Sequence, residues 1–313
     1  MAATMRDRTS PRRWLRIAAV TAALAACAGI LYLRADKRHV FREVAGELAL
    51  AREVERVDSG GQTARRVELV NHRGEAVASA WIRRPPQLPA SYVALLVYGG
   101  EKTGRRILDL VPARDDLVLA AVQYPYERPR TLGGRLRWPY EVRRAAFRTV
   151  AGGLLTVSHL VRDEGVDPAR LAVVGSSLGS PFAVAHAALD ERVPRLVVVH
   201  GGGDLPLVVR AFEARRGRPW RGRLYAAGTA LLFSSFEPLR YVGEVAPRET
   251  IVVGARADEA FPIASTLALY ERAGEPKRLS WTAGAHVRSR PGAALEEVLA
   301  ELDRVLRPPR PAG

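Results

Sequence analysis

Gly175-Ser176-Ser177-Leu178-Gly179 follows the apolar run Leu171-Ala172-Val173-Val174 and precedes a helical pattern over Pro181 to Leu189. A serine between two glycines at a strand-to-helix junction marks a very sharp turn. Side chains at 175 and 179 would strike the neighbouring backbone there, and glycine removes the collision. The bend lifts the Ser177 hydroxyl clear of the sheet, where a base and a substrate carbonyl can both reach it.

The segments around this turn alternate in kind. Arg66 to Val70 and Ala76 to Arg83 read as strands around the turn Asn71-His72-Arg73-Gly74. Val93 to Tyr98, Leu117 to Gln123, 170–175, Arg195 to His200, Thr250 to Gly254 and Arg278 to Thr282 read as further strands. Val142 to Glu164, Ile263 to Ala273 and Gly292 to Leu306 have helical spacing. Strands alternating with helices predict an α/β chain, with a mostly parallel sheet and helices on both faces. Ligands in such sheets bind at the carboxyl ends of the strands. The stretch from Asp204 to Val245 breaks the alternation and carries its own apolar segment, Leu224 to Phe233. It is too long for a bare loop and reads as a cap over those strand ends.

A serine hydroxyl becomes a useful nucleophile when a histidine takes its proton and a carboxylate fixes that histidine's tautomer. In this kind of sheet the chain order is serine, acid, histidine. His39 and His72 come too early, and His159 and His186 fall within helices as structural or surface residues. His286, in Ala283-Gly284-Ala285-His286-Val287 before the last helix, is the candidate base. Asp258, just after the strand Ile251 to Gly254, is the candidate acid, and Asp204 is the alternative. Glu259 is adjacent but is expected to point elsewhere. Acyl transfer also needs donors for an oxyanion. Leu178 N–H is the first candidate, and the loop Tyr98-Gly99-Gly100-Glu101 supplies the second, with the Tyr98 hydroxyl as a possible third. His200-Gly201-Gly202-Gly203 comes after the serine, on the wrong strand for an oxyanion segment, and reads as a flexible entrance to the cap.

In these motifs the chain resembles the α/β-hydrolase family from about Arg65 to Leu306. GSSLG, ARADEAFP after a strand, AGAHV before the last helix, and Asp167-Pro168 leading into the elbow strand carry the resemblance together. It implies a central, mostly parallel sheet of about eight strands and a triad of Ser177, Asp258 and His286. Tyr98-Gly99-Gly100 looks like the oxyanion segment of the prolyl-oligopeptidase-like branch, in which a tyrosine hydroxyl serves the oxyanion. The GSSLG elbow and the lack of room for a propeller domain depart from that branch. The resemblance therefore implies an esterase acting on a small-molecule ester, with no metal and no cofactor. Peptidase, thioesterase and acyltransferase chemistry would use the same residues, and a non-catalytic ligand-binding hydrolase fold is a further alternative.

Residues 17–33, IAAVTAALAACAGILYL, are apolar without a break, with Arg12, Arg13 and Arg16 before them and Arg34, Lys37 and Arg38 after. Seventeen residues of helix span about 25 Å, at the short end for crossing a bilayer. Trp14 and Tyr32 stand where interfacial aromatics belong. The first reading is an uncleaved anchor that leaves the hydrolase domain extracytoplasmic, in a periplasm. The alternatives are a lipoprotein signal at Leu24-Ala25-Ala26-Cys27 and a signal peptide cleaved after Ala23-Leu24-Ala25. The expected organisation is a basic segment 1–16, the anchor or signal 17–33, a stalk 34–61, a hydrolase domain 62–307 with its cap at 204–245, and a disordered tail 308–313. Cys27 is the sole cysteine, so no intramolecular disulfide forms.

Net charge is +15, supplied almost wholly by arginine, since Lys37, Lys102 and Lys277 are the only lysines. No nucleic-acid-binding module or basic face with interleaved aromatics accompanies the charge, so nucleic acid is not an expected partner. Arg210, Arg215, Arg216, Arg218, Arg221 and Arg223 cluster beside Trp220 in the cap. They read either as a solvated loop or as a contact with an anionic membrane.

Overall fold

The computed structural model describes residues 11–59, 61–100, 103–126 and 131–306. The expected basic segment up to residue 10, Glu101 of the oxyanion loop and the tail 308–313 lie outside the described residues. The elements, in chain order, are α1 (Pro11–Arg34), α2 (Arg38–Ala45), β1 (Leu48–Ser59), β2 (Gln62–Asn71), β3 (Ala76–Arg83), β4 (Val93–Tyr98), α3 (Arg105–Leu110), β5 (Leu117–Gln123) and α4 (Leu132–Arg162). They continue with β6 (Leu171–Ser176), α5 (Ser180–Leu189), β7 (Arg195–Val199), α6 (Leu205–Arg215), α7 (Pro219–Leu232), β8 (Glu249–Ala257), α8 (Ile263–Arg272), β9 (Lys277–Ala285) and α9 (Ala293–Leu306).

Among the described residues the strands form one nine-stranded sheet in the order β1-β2-β3-β5-β4-β6-β7-β8-β9. The strands from β5 across to β9 pair in parallel, while β1, β2 and β3 add an antiparallel flank. The central strands are apolar on both faces because both are covered. In β6, Val173 faces a core shared with Leu155 of α4 and Val184 of α5. Its neighbours Ala172 and Val174 face the opposite core, with Leu108 of α3 and Val298 of α9. Helices therefore lie on both faces, as the alternation of segments predicts.

The strand order reverses between β4 and β6: the chain leaves β4 for β5 on one side and reaches β6 on the other. The loops after β4 and β6 flank this switch point, the crevice where such sheets place ligands. Tyr98 at the end of β4 pairs with Gly175 of β6, so the Gly99-Gly100 loop stands beside Ser177. Residues 204–245 form the expected cap: α6, α7 and three short 3-10 turns inserted between β7 and β8.

The stalk expected over 34–61 needs correction. Most of it belongs to the domain, as α2 and the edge strand β1, which pairs along β2 from Leu48 to Ser59. Phe41 of α2 is fully buried, with its ring 4.8 Å from Phe147 and 5.6 Å from Phe236. The sheet therefore gains one strand over the expected eight. An edge strand tolerates the charges of LALAREVERVDS because long charged side chains at an edge discourage pairing with other chains.

Helix α1 presents exposed apolar side chains, among them Val20, Leu24 and Leu31. Among the described residues no single helix is long and apolar enough to cross a membrane. Ala18–Arg34 and Arg38–Ala45 meet the length and composition test only together, and they are bent by 66° at their junction.

Candidate active site

The turn after β6 has the geometry its sequence demands. Ser177 sits at φ 53°, in the left-handed region, a conformation that costs a non-glycine residue about 1–3 kcal/mol and persists where the surroundings enforce it. A Cβ at Gly179 would fall on the Tyr98 carbonyl, and one at Gly175 would come within 2.8 Å of Ser180 Cα. Gly179 thus lets the turn pack directly against the end of β4, and Gly175 lets the start of α5 pack back against β6.

Three side chains from three strand ends meet at this turn. His286 Nε2 lies 2.7 Å from Ser177 Oγ. On the other side of the ring, His286 Nδ1 lies 2.9 Å from Asp258 Oδ2. Asp258 Oδ1 accepts from the N–H groups of Ala260 and Phe261, both at 2.7 Å, which fixes the carboxylate's rotation. The Phe261 ring lies nearly parallel to the imidazole, with centroids 5.9 Å apart. A hydroxyl, an imidazole and an anchored carboxylate in this series can pass a proton from oxygen to ring nitrogen while the carboxylate stabilises the cation.

The loop carrying His286 is held from both sides by residues that sequence reasoning placed elsewhere. Glu259 accepts the His286 N–H through Oε2 at 3.0 Å and pairs with Arg288 through Oε1 at 2.5 Å. Burial works against its charge, but the Arg288 guanidinium and the His286 amide outweigh that and hold the carboxyl at about 2. His200 is fully buried, at φ 46°. Its Nδ1 accepts the Val287 N–H at 2.9 Å, and its Nε2 lies 2.9 Å from Thr282 Oγ1. Burial lowers the His200 imidazole to about 4, so it is neutral at ordinary pH.

The expected flexible entrance at His200-Gly201-Gly202-Gly203 is therefore a correction: the segment is a buried joint. Cβ atoms on its glycines would strike Ser180, Ser265 and Leu239, and the carbonyls of Gly201 and Gly203 accept from Thr266 and Ser265 hydroxyls. The signal lay in three consecutive glycines after a buried strand, which mark close backbone approach as readily as freedom.

Asp204, the alternative acid, is engaged elsewhere. It caps the amino end of α6, accepting from Leu207 N–H at 3.0 Å, and its own N–H donates to Glu237. Tyr98 also needs correction as an oxyanion donor through its hydroxyl. Its ring is fully buried in the core on the α4–α5 side, and its hydroxyl lies 2.7 Å from His186 Nδ1. Gly153 in the middle of α4 makes room for it, since a Cβ there would fall on the phenol oxygen. Adjacent glycines inside a helix cost about 1 kcal/mol each relative to alanine, and Gly152-Gly153 was the sequence signal of that close approach. The Gly99 N–H faces Thr103 Oγ1 at 3.4 Å, and the Gly99 carbonyl accepts from Tyr124 at 2.6 Å. Gly100 lies against Ser177, where a Cβ would sit 3.9 Å from the serine Cβ. Leu178 follows Ser177 on the exposed side of the turn.

Among the described residues, His200, Asp258 and His286 bring ligating atoms within 4.8 Å of one another, the spacing of a metal site. Each of those ring nitrogens and carboxylate oxygens already has a hydrogen-bond partner in the network above. The cluster is thus accounted for by hydrogen bonding within the protein.

Ser177 opens into a cavity of about 1730 Å³ beneath the cap. Its walls are largely apolar and aromatic, including Tyr124, Trp138, Phe182, Val209, Phe233 and Phe261.

The sheet order, the helices on both faces and the sharp serine turn are together those of an α/β-hydrolase fold. Solved structures bear this out. An acetyl xylan esterase from Paenibacillus sp. R4 superposes with a TM-score of 0.60 at 16% identity, covering 86% of this chain and 92% of that one. Acetyl xylan esterase 1 from Thermoanaerobacterium sp. JW/SL YS485 gives 0.56 at 12%, over 86% and 92%. A cold-adapted esterase from an Arctic intertidal metagenomic library gives 0.53 at 17%, over 81% and 98%. At such identities the likeness is one of fold. The sequence matches no protein-family model and no curated protein.

Proposed function

We propose that the chain is a membrane-attached serine hydrolase that cleaves carboxylic esters through an acyl-enzyme on Ser177. The observation that carries the reading is the continuous series Ser177 Oγ, His286 and Asp258, with contacts of 2.7 and 2.9 Å, at the mouth of an apolar cavity.

Ser177 Oγ attacks the ester carbonyl as its proton passes to His286 Nε2. Asp258 holds the ring in the tautomer that accepts that proton and stabilises the imidazolium. The carbonyl oxygen, now an anion, is met by the N–H groups of Leu178 and Gly100, the two candidate donors beside the serine. The acyl C–O bond breaks and His286 protonates the departing alcohol. Water, deprotonated by His286, then attacks the acyl carbon and frees the acid and Ser177. Glu259 and His200 serve as positioning residues, fixing the backbone on either side of the imidazole. The names of the solved neighbours favour an ester over a peptide as first substrate, and an acetyl ester suits a first assay.

The attachment rests on α1, whose apolar surface is exposed and flanked by basic residues. The test of the whole reading is turnover of a soluble acetate ester by the full chain in detergent. Ser177→Ala should remove it while the protein stays folded. Undiminished turnover in that variant overturns the reading.

A further inference from the structure

We propose that the substrate is a long-chain acyl ester resident in an anionic bilayer, drawn into the cavity beside α1 with the α6–α7 cap resting on the headgroups. This rests on the esterase reading of Ser177. Three independent features of the fold converge on it.

The first is the cavity. At about 1730 Å³ it exceeds the roughly 300–1,000 Å³ usual for small-molecule sites. Arg106 and Glu213 are its only charged lining side chains among the described residues. A small polar ester would leave most of this apolar wall against water, whereas a long hydrocarbon chain would cover it.

The second is the joint between the membrane-seeking helix and the cavity wall. The end of α1 is tied to the cap: Ser234 Oγ donates to the Leu33 carbonyl at 2.8 Å, and Arg240 to the Arg34 carbonyl at 3.2 Å. Phe233 and Phe236, on either side of that tie, line the cavity. The segment 233–236 thus touches the end of α1 through Ser234 and lines the chamber that holds Ser177 through Phe233 and Phe236. A bilayer that takes up α1 stands beside that wall.

The third is the outer face of the cap. Trp220, Leu224 and Tyr225 are exposed there at 68%, 62% and 42%. Arg216, Arg218 and Arg223 are exposed in the same segment. Exposed aromatics among arginines fit the interfacial zone of an anionic membrane, where apolar groups enter the acyl boundary and cations meet phosphates. The exposed apolar Leu224, and the apolar α1 tied to the same cap, select a lipid surface over any other polyanion.

In the reaction the lipid's acyl carbon bonds to Ser177 Oγ and its C–O bond breaks. The proton from Oγ goes through His286 to the lipid alcohol, which leaves as the deacylated lipid, and water releases the fatty acid.

The test uses the full chain reconstituted into vesicles of equal parts phosphatidylcholine and phosphatidylglycerol that carry a fluorogenic long-chain phospholipid ester. The same preparation is assayed on soluble p-nitrophenyl acetate. The phospholipid should be cleaved. Replacing Arg210, Arg216, Arg218 and Arg223 with Gln should lower the ratio of phospholipid to acetate turnover on the order of tenfold, as should high salt. Fluorophosphonate labelling of the variant checks that its serine site is intact. Acetate turnover without phospholipid turnover, or a ratio unmoved by the four substitutions, overturns the proposal and leaves the esterase reading standing. No turnover of either ester overturns both.

Discussion

Replacing Asp258 with Asn probes the hydrogen-bonded series with the least change in shape. The carboxylate is nearly fully buried, its Oδ1 taking two backbone N–H groups at 2.7 Å and its Oδ2 facing His286 Nδ1 at 2.9 Å. An asparagine must put its carbonyl oxygen toward Ala260 and Phe261, because its NH2 there would set donors against donors. The NH2 then faces Nδ1, which can accept only as a bare lone pair. The ring's proton is forced onto Nε2, where it points at Ser177 Oγ and blocks proton uptake. The wrong tautomer should cost about 10³ to 10⁴ in kcat, on the order of 4–5 kcal/mol of activation free energy. The assay is kcat on a soluble acetate ester, with circular dichroism and thermal unfolding confirming an unchanged fold. A loss below tenfold in a folded variant refutes the reasoning, because Asp204 is committed to the α6 cap and cannot take over.

Two further outcomes follow from the packing and a third from the apolar α1. Gly179→Ala sets a Cβ on the Tyr98 carbonyl, against backbone that cannot swing aside, and should destabilise the domain by about 3 kcal/mol in urea unfolding; an unchanged midpoint contradicts the tight turn. His200 stands at about 4 in the fold against about 6.5 unfolded, so the unfolded chain takes its proton first and stability falls as pH drops through that window, by about 3 kcal/mol. His200→Gln removes the titrating group, so urea midpoints measured from pH 7 to pH 4 should decline less steeply; an identical decline places the acid sensitivity elsewhere. A reporter fused to the carboxyl end should give an extracytoplasmic signal, and lipid labelling lost in Cys27→Ala would replace the anchor reading with a lipoprotein.

What could be read from the sequence divides along a physical line. Gly175, Ser177, Gly179, Asp258 and His286 were legible because each belongs to a local pattern, a strand followed by a sharp turn, that short-range sterics write directly into neighbouring residues. The central strands were legible because burial on both faces demands unbroken apolar runs such as Val93 to Tyr98. β1 was not, because an edge strand faces solvent and carries charges that resemble a stalk. Tyr98, His200 and Glu259 were assigned other roles because their partners come from distant parts of the chain: His186, 88 residues away, for the first, and the loop after β9 for the other two. Only the folded arrangement brings those contacts together.

The claim on which everything else depends is that Ser177 is the nucleophile. The most direct measurement is to treat the folded full chain with a fluorophosphonate and map the adduct by fragmentation. One adduct is expected, on Ser177, and His286→Ala should suppress it. An adduct on Ser176 instead, or none at all on the folded protein, would contradict it.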